Sequence, residues 1–353
     1  MRKVAELAGV SISTVSRVVN SHPNITAETA RNVRTAMEKL DFRPTIRRPT
    51  GRTARTTGSG SSAPVLSAAI VMFNNGGQMA PAYEQLLQGI SQAADECRLN
   101  LVFGFARDMS QLPPRVLEGG VDGLLLGGTR PSPDIQERLH RIPSVWLMGN
   151  RQRPRWGDQV MPDNTTIAQI AARYLLDRGH THLACLMSAN SGWSLYLRAL
   201  AFSEAVRERG AIAHVLKAVE PPQNDEWCPD SHAALAKSQI DQLLALSPRP
   251  TGLFISEDRL VSAIDRELTA RGIDCRPGSG IDVISCNNER EYLAGLHMSP
   301  ASIDINAASI GRRAVELLVK RIRKPDDSGR TRVMVGPRLI DETSVAQISE
   351  NVM

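Results

Sequence analysis

Hydrophobic positions near the start of the chain repeat at helical intervals on both sides of a glycine. Gly9 can adopt the left-handed conformation that ends a helix, and Ser11 or Ser13 can cap the helix that follows. The inward-facing positions of that second segment are Val15, Val18 and Val19. The pattern predicts two short helices joined by a tight turn, which is a helix-turn-helix.

A further amphipathic segment follows at residues 27–40. Thr26 is placed to cap it, and Glu28 lies in its first turn, where the helix dipole favours a negative charge. The apolar stripe of this segment consists of Ala30, Val33, Met37 and Leu40. We expect this helix to complete a three-helix domain.

Beyond residue 64, short apolar runs alternate with amphipathic segments. The runs that predict strands include VLSAAIVMF, LNLVFGFA, IPSVWLMGN, HLACLMS, TGLFIS and IDVISC. The segments that predict helices include YEQLLQGISQAADECRL, IAQIAARYLLDRGH, LRALAFSEAVRERG and LVSAIDRELTARG. Alternating strands and helices are typical of parallel, doubly wound sheets that are covered on both faces.

Residues 43–64, RPTIRRPTGRTARTTGSGSSAP, break both patterns. Proline and glycine recur here, and the five arginines of this stretch have no acidic residue among them. Residues 1–60 hold eleven Lys and Arg against four Asp and Glu, a balance of +7, whereas the whole chain carries +5. This asymmetry indicates a polyanionic partner for the N-terminal part alone.

Composition narrows the class of protein. With 353 residues, 42% hydrophobic and 22% charged, the chain is expected to form two or three ordinary globular domains. The sequence shows no long apolar run and no signal peptide, so we expect neither a membrane span nor export, and a cytoplasmic location. Its five scattered cysteines form no CxxC or Cys/His cluster, which favours reduced thiols over a zinc site.

The segment AELAGVSISTVSRVVN resembles the DNA-binding headpiece of the lactose-repressor/galactose-repressor (LacI/GalR) family of bacterial transcription regulators. The order of strands and helices after residue 65 is similar to the two-lobed sensor of that family, which resembles periplasmic binding proteins. The resemblance extends over roughly residues 1–345. It implies a small all-α helix-turn-helix headpiece followed by an α/β sensor with two doubly wound parallel sheets.

The resemblance also implies how the chain is divided. The cleft between two such lobes lies at the C-terminal ends of the strands, where ligands bind in open α/β sheets. We expect the headpiece at 1–42, a basic linker at 43–64, the sensor and dimerisation domain at 65–345, and a tail at 346–353. The first lobe is expected at about 65–160 with 300–325, and the second at about 161–290 with 326–345.

The second helix of the headpiece leaves a polar face outside. Arg17 can donate two hydrogen bonds to a guanine in the major groove, and Thr14 and Asn20 at the rim suit phosphate oxygens. His22 lies in the loop that follows. The candidate DNA-binding residues of the headpiece are Ile12, Ser13, Thr14, Ser16, Arg17, Asn20 and His22.

The linker departs from the family pattern, in which a short hinge helix wedges a leucine into the minor groove. Gly51 stands about where that leucine would be, and Pro49 would interrupt the helix. One hypothesis is that Arg47, Arg48 and Arg52 lie as an extended arm in a narrow, A·T-rich minor groove. The alternative is a basic tether that adds only nonspecific, salt-sensitive attraction, and the sequence leaves both open.

Candidate effector residues stand at predicted strand ends and helix starts. Arg198 matches the arginine that reaches the effector in the family, and guanidinium donors suit sugar hydroxyls, carboxylates or phosphates. Trp193 and Trp227 are candidates for stacking on a sugar ring, with burial in the core as the alternative. The full set is Asn74, Asn75, Met148, Asn150, Trp193, Arg198, Trp227, Glu257, Asp258 and Asn287.

Two positions of this set depart from the family's sugar-binding pattern. Glu257 and Asp258 stand where relatives show Asn-Asp, and Asn287 replaces an aspartate that often holds sugar hydroxyls. Because an asparagine can both donate and accept, a sugar is still expected, while ligands of other classes stay open.

These features predict a sequence-specific transcriptional regulator. The resemblance implies a homodimer that represses by binding a palindromic DNA operator, with its affinity controlled by a small-molecule effector. No cofactor, metal or membrane partner is expected, and no catalytic residues. The alternatives are a solute-binding protein, which would need export, and an enzyme acting on a sugar phosphate or nucleotide, although the sequence lacks GxGxxG after a strand, a P-loop and GxSxG.

Overall fold

The computed structural model separates the chain into two compact units, Met1–Ser62 and Ala63–Met353. Within the part of the chain that the structure describes, no helix is long and apolar enough to cross a membrane. The described residues are 2–11, 14–15, 18, 27–40, 65–73, 80–149, 156–188, 192–218, 229–276, 279–298, 300–325 and 329–340.

The first unit contains the predicted turn between two helices. Helix α1 spans Arg2–Ala8, and Gly9 follows it with φ of 64°, in the left-handed region that favours glycine. The Ser11 hydroxyl accepts a hydrogen bond from the backbone N–H of Thr14 at 3.1 Å, so Ser11 supplies a cap for the next helical segment. The third helix is α2, Ala27–Lys39.

Small apolar side chains form the core of the first unit. Leu40, which the sequence placed on the apolar stripe, is 42% exposed, because α2 ends at Lys39 and Leu40 lies beyond its last turn. Ala36 occupies the buried face instead. The buried residues are Val4, Ala5, Val15, Val18, Val33 and Ala36.

The second unit alternates strands and helices from end to end. Its strands are β1 (Leu66–Phe73), β2 (Leu99–Phe105), β3 (Gly123–Gly128), β4 (Ser144–Leu147), β5 (Asp158–Pro162), β6 (His182–Met187), β7 (Ile212–Lys217), β8 (Gly252–Ile255), β9 (Asp282–Cys286), β10 (Ala301–Asp304), β11 (Arg332–Val335) and β12 (Arg338–Ile340). Its α-helices are α3 (Pro81–Cys97), α4 (Pro114–Leu117), α5 (Pro133–Leu139), α6 (Asn164–Leu176), α7 (Trp193–Glu208), α8 (Pro229–Leu244), α9 (Val261–Ala270), α10 (Arg290–Leu293) and α11 (Ala307–Arg323).

The strands form two six-stranded sheets, each the centre of one lobe. The first sheet has the order β11-β5-β4-β3-β1-β2 and is parallel throughout, with Ile70 opposite both Phe103 and Leu125. The second has the order β12-β10-β9-β8-β6-β7, parallel except that β12 runs antiparallel to β10. The predicted fold class, two doubly wound sheets beside a helical headpiece, is confirmed.

Strand pairing places two short strands on the other side of the expected lobe boundaries. The range 300–325 was expected in the first lobe, but β10 pairs with β9 in the second sheet. The range 326–345 was expected in the second lobe, but β11 pairs with β5 in the first. Strand β5 of the first sheet ends at Pro162, close to the expected start of the second lobe at about 161. The physical reason is that each crossover follows a strand, so the strand keeps its hydrogen-bonding partners and the chain leaves the sheet afterwards.

Helices α3 and α11 pack together on the first lobe with two glycines at their contact. A Cβ atom on Gly89 would lie 2.0 Å from the carbonyl oxygen of Ala308, and one on Gly311 would lie 2.2 Å from that of Leu86. Only glycine allows these backbones to approach so closely. This packing fixes α3, whose N-terminus reaches the cleft between the lobes.

Candidate functional site

A cavity of about 770 Å³ lies between the lobes, at the C-terminal ends of the strands. This volume is within the usual range for a small-molecule site. Both lobes contribute to its wall, since Thr129 and Met148 follow strands of the first sheet and Glu257 and Asn287 follow strands of the second. The wall consists of Ala80, Ala82, Tyr83, Thr129, Met148, Pro162, Gly192, Ser194, Leu195, Arg198, Glu257, Arg259, Asn287, Glu289, Tyr292 and Ile305.

Arg198 is the best-positioned donor in this cavity. The side chain lies on α7 and is 4% exposed. Its Nε donates to Oδ1 of Asn164 at 2.9 Å, and its Nη1 donates to the carbonyl of Ser256 at 2.6 Å and to Oδ1 of Asn287 at 3.3 Å. Among the described residues no acceptor faces its Nη2, so this nitrogen can donate to a ligand.

Asn164 and its neighbour stand where the chain leaves the first lobe. Asp163 caps α6 by accepting from the backbone N–H of Thr166 at 3.1 Å. The amide nitrogen of Asn164 donates to the carbonyl of Pro162, which leaves its Oδ1 for Arg198. This second role could not be predicted from the sequence, because nothing local links residue 164 to residue 198.

Glu257 is held by a second arginine that the sequence analysis missed. Arg259 donates from Nε and Nη2 to the two carboxylate oxygens of Glu257, both at 2.9 Å, and Ser188 donates to the same carboxylate at 3.2 Å. Burial disfavours the charge on Arg259, but attraction to Glu257 and the hydrogen bonds to it outweigh burial and raise its pKa. The pair places one cation and one anion side by side in the wall.

Asp258, which was predicted to contact the effector, lies beneath the cavity, and its contact with an effector stays a prediction. Its side chain is fully buried and is not part of the cavity wall. It accepts from the backbone N–H of Glu289 at 2.7 Å and from the hydroxyl of Ser302 at 3.1 Å. Burial raises the pKa of this carboxyl group. Asp258 therefore supports the second lobe beneath the cavity.

Glu289 is the other cavity residue that the sequence analysis did not find. Its side chain comes from the second lobe and is almost fully buried. Oε1 accepts from the backbone N–H of Ala82 at 3.1 Å, and Oε2 accepts from the amide of Asn287 at 3.3 Å. Burial raises the pKa of Glu289, and the neighbouring Asp258 and Glu257 raise it further.

The remaining predicted effector residues fall into three groups. Met148, Arg198, Glu257 and Asn287 meet at the cavity, and their contact with an effector stays a prediction. Trp193 is not among the residues of the wall and stacks on Tyr196 with ring centroids 5.0 Å apart, and its contact with an effector stays a prediction. Asn74, Asn75, Asn150 and Trp227 lie outside the described residues.

The predicted DNA-binding residues are described at one position. Thr14 is half-buried, and its hydroxyl lies 2.8 Å from that of Ser11 at the start of the second helical segment. That placement is compatible with a rim position on the helix, and contact with DNA stays a prediction. Ile12, Ser13, Ser16, Arg17, Asn20, His22, Arg47, Arg48 and Arg52 lie outside the described residues.

Two family models match the chain. The model "Bacterial regulatory proteins, lacI family" matches residues 1–45, and the model "Periplasmic binding protein-like domain" matches residues 172–345. The ribose operon repressor of Escherichia coli (strain K12) is 25% identical over 335 residues, which cover 92% of this chain and 93% of that protein. The HTH-type transcriptional repressor PurR of Vibrio parahaemolyticus is 22% identical over 365 residues, covering 99% of each chain.

Solved structures show the same fold. The complex of the transcriptional regulator CelR with cellobiose aligns with a TM-score of 0.63 at 21% identity, covering 96% of this chain and 97% of that one. The Lac repressor dimer bound to operator and the anti-inducer ONPF aligns with a TM-score of 0.60 at 20% identity, covering 97% of both. The chain therefore carries a DNA-binding domain of the lacI family of bacterial regulatory proteins, followed by a periplasmic-binding-protein-like domain.

Proposed function

We propose that this protein is a transcriptional repressor that binds a palindromic operator as a homodimer and is controlled by a small molecule in the cavity between its lobes. The observation that carries this proposal is that Arg198 lines the cavity with a donor available to a ligand. The same chain begins with a separate unit that matches a lacI-type headpiece. The two relatives named above are both repressors. We place the protein in the cytoplasm, on the nucleoid when it is bound to its operator.

The charges of the cavity favour a neutral, polyhydroxylated effector. Arg259 is already paired with Glu257, and Arg198 interacts electrostatically with the buried carboxyl group of Asp258. A phosphate or carboxylate ligand would add an anion next to Glu257 and Glu289, which is unfavourable in a partly buried site. A sugar can accept from Arg198 and donate to carboxylate or amide oxygens without this cost. The relatives include a ribose operon repressor and a regulator solved with cellobiose.

The operator experiment starts from the purified full-length protein and a pool of random duplexes. We expect selection to enrich palindromes, and the dimer to prefer the best palindrome over random duplex by at least 100-fold near physiological salt. Equal binding to both at every salt concentration would contradict the proposal. The linker alternatives are separated in the same assay, because replacing Arg47 and Arg48 by Ala removes a preference for A·T at the operator centre only if they form a minor-groove arm.

The effector experiment compares neutral sugars, including ribose and cellobiose, with their phosphorylated forms. We expect a neutral sugar to raise the melting temperature and to change operator affinity, and Arg198→Lys to abolish both responses while operator binding without sugar persists. Lys keeps the charge but loses the planar set of donors. The matched control is Arg173→Lys at an exposed position of α6, which leaves both responses intact. If no ligand of any class changes operator affinity, the sensing part of the proposal is wrong.

A further inference from the structure

Among the described residues, no side chain of its own segment caps the start of helix α3. Ala80 occupies the N-cap position with an extended backbone and no side-chain acceptor, and Pro81 is the first helical residue. The first N–H that needs an acceptor from outside the helix is therefore that of Ala82, since Tyr83 N–H bonds to the carbonyl of Ala80. In most helices a serine, threonine or aspartate at the N-cap would supply it.

The acceptor comes from the other lobe. Glu289 follows β9 of the second sheet, whereas α3 packs on α11 and β2 of the first lobe. Its Oε1 accepts from Ala82 N–H at 3.1 Å, across 207 positions of sequence. This hydrogen bond is buried and joins a carboxyl group to the positive end of a 17-residue helix.

The same carboxyl group is connected to the proposed effector donor. Asn287 donates to Oε2 of Glu289 and accepts from Nη1 of Arg198, both at 3.3 Å. Asp258 fixes the backbone of Glu289 by accepting its N–H. The contacts therefore run without a break from Arg198 through Asn287 and Glu289 to the first turn of α3, and Arg198, Asn287 and Glu289 all line the cavity.

We propose that Glu289 is the positioning residue that ties the two lobes together at the cavity, by capping a helix of the first lobe from the second. This hydrogen bond between the lobes, the tie, favours the arrangement of the lobes seen in this structure. The further step, that an effector at Arg198 changes the tie through Asn287, rests on the proposed function. A ligand oxygen that accepts from Nη2 of Arg198 shifts the guanidinium whose Nη1 donates to Asn287, and Asn287 is the residue that donates to Glu289.

The tie predicts two separable effects of one substitution. In Glu289→Ala, the first turn of α3 loses its cap, and the lobes lose their hydrogen bond. Adding Ala80→Ser to that variant restores a cap from within the helix, because a serine at an extended N-cap accepts from the N–H groups of the first turn. The double variant therefore has a capped helix and untied lobes.

The test is hydrogen exchange on the full-length protein, without operator or ligand. In Glu289→Ala we expect exchange to quicken at least fivefold both in residues 82–85 and in the cavity wall at 192–198 and 287–293. In Ala80→Ser with Glu289→Ala, residues 82–85 return to wild-type protection and the cavity wall stays fast. The control Glu291→Ala, at an exposed position of α10, matches the wild type.

Two outcomes overturn the proposal. One is unchanged exchange at the cavity wall in Glu289→Ala, and the other is full recovery of the wall when only the local cap is restored. If Glu289→Ala alone fails to fold, the double variant provides the same comparison with the wild type. Because the experiment uses neither operator nor effector, its failure leaves the proposed function standing, and a failure to bind any operator leaves the exchange result intact.

Discussion

Asp258 is the clearest example of a residue that supports the cavity wall from beneath. It accepts the backbone N–H of Glu289 and the hydroxyl of Ser302 in a fully buried position. Replacing it by Ala leaves these donors buried without an acceptor. We expect Asp258→Ala to lower the free energy of unfolding by about 3 kcal/mol, measured by urea titration with tryptophan fluorescence.

The control for this prediction is Asp274→Ala, at an exposed position whose partner Arg276 is also on the surface. We expect this variant to leave the urea midpoint unchanged. An Asp258→Ala protein as stable as the wild type would contradict this supporting role, and would agree with the prediction that Asp258 contacts the effector.

Residues of the cavity differ in how far the sequence could identify them. Arg198 was found because it lies in a recurring block of the family. Arg259 and Glu289 were not, because the role of each depends on a partner that only folding supplies: for Glu289, a backbone N–H 207 positions away. For Trp193, the sequence cannot tell which side of α7 faces the cleft, and the ring stacks on Tyr196.

At the scale of elements, the contact between α3 and α11 depends on two glycines. Alanine has a higher intrinsic helix propensity than glycine by roughly 1 kcal/mol, so a free helix would be stabilised by the change. Here the added Cβ would overlap a backbone carbonyl of the partner helix, at 2.0 Å for Gly89 and 2.2 Å for Gly311. Backbone cannot move aside as a side chain can. We expect each Gly→Ala variant to lose about 2 kcal/mol of stability in a urea titration.

Gly336→Ala is the matched control, since a Cβ there meets open space and its φ is not positive. It should unfold at the wild-type urea concentration. A Gly89→Ala protein more stable than the wild type would show that the two helices are not in close contact.

Strands were easier to foresee than the sheets they join. A strand buried on both faces has an almost continuous apolar sequence, as β1 and β3 do, and such runs are visible without a structure. Sheet membership depends on pairing between distant segments, as when β11 joins β5 and β10 joins β9. Strands β10 and β11 are only four residues long, and nothing in their sequences indicates which strand they pair with. The crossovers between the lobes therefore could not be placed from the sequence.

At the scale of the whole molecule, the buried carboxyl groups beside the cavity predict how stability depends on pH. Burial raises the pKa of Glu289 above its ordinary value of 4.5, and that of Asp258 above 3.8. A group whose pKa is higher in the folded state stabilises that state fully below its unfolded pKa, and the contribution is lost as the pH rises through the folded value. Glu289 therefore favours the folded protein most in mild acid.

Comparison with Glu289→Gln separates the contribution of Glu289 from that of His232, which acts in the opposite direction. Burial lowers the pKa of His232, so the contribution of His232 to stability falls as the pH decreases. The titratable and charged groups that interact with Glu289 are Asp258, Glu257, Arg259, Cys286 and Tyr292 on the second lobe, and the N-terminus of α3 on the first. Glutamine keeps an acceptor for the helix but cannot titrate.

We expect the unfolding free energy of the wild type relative to this variant to be greatest near pH 5 and to decrease steadily towards pH 8. Urea titrations across that range measure the difference through tryptophan fluorescence, which reports the second unit because all four tryptophans follow residue 63. A difference that stays constant or grows with pH would mean that Glu289 is not protonated more readily in the folded protein than in the unfolded chain.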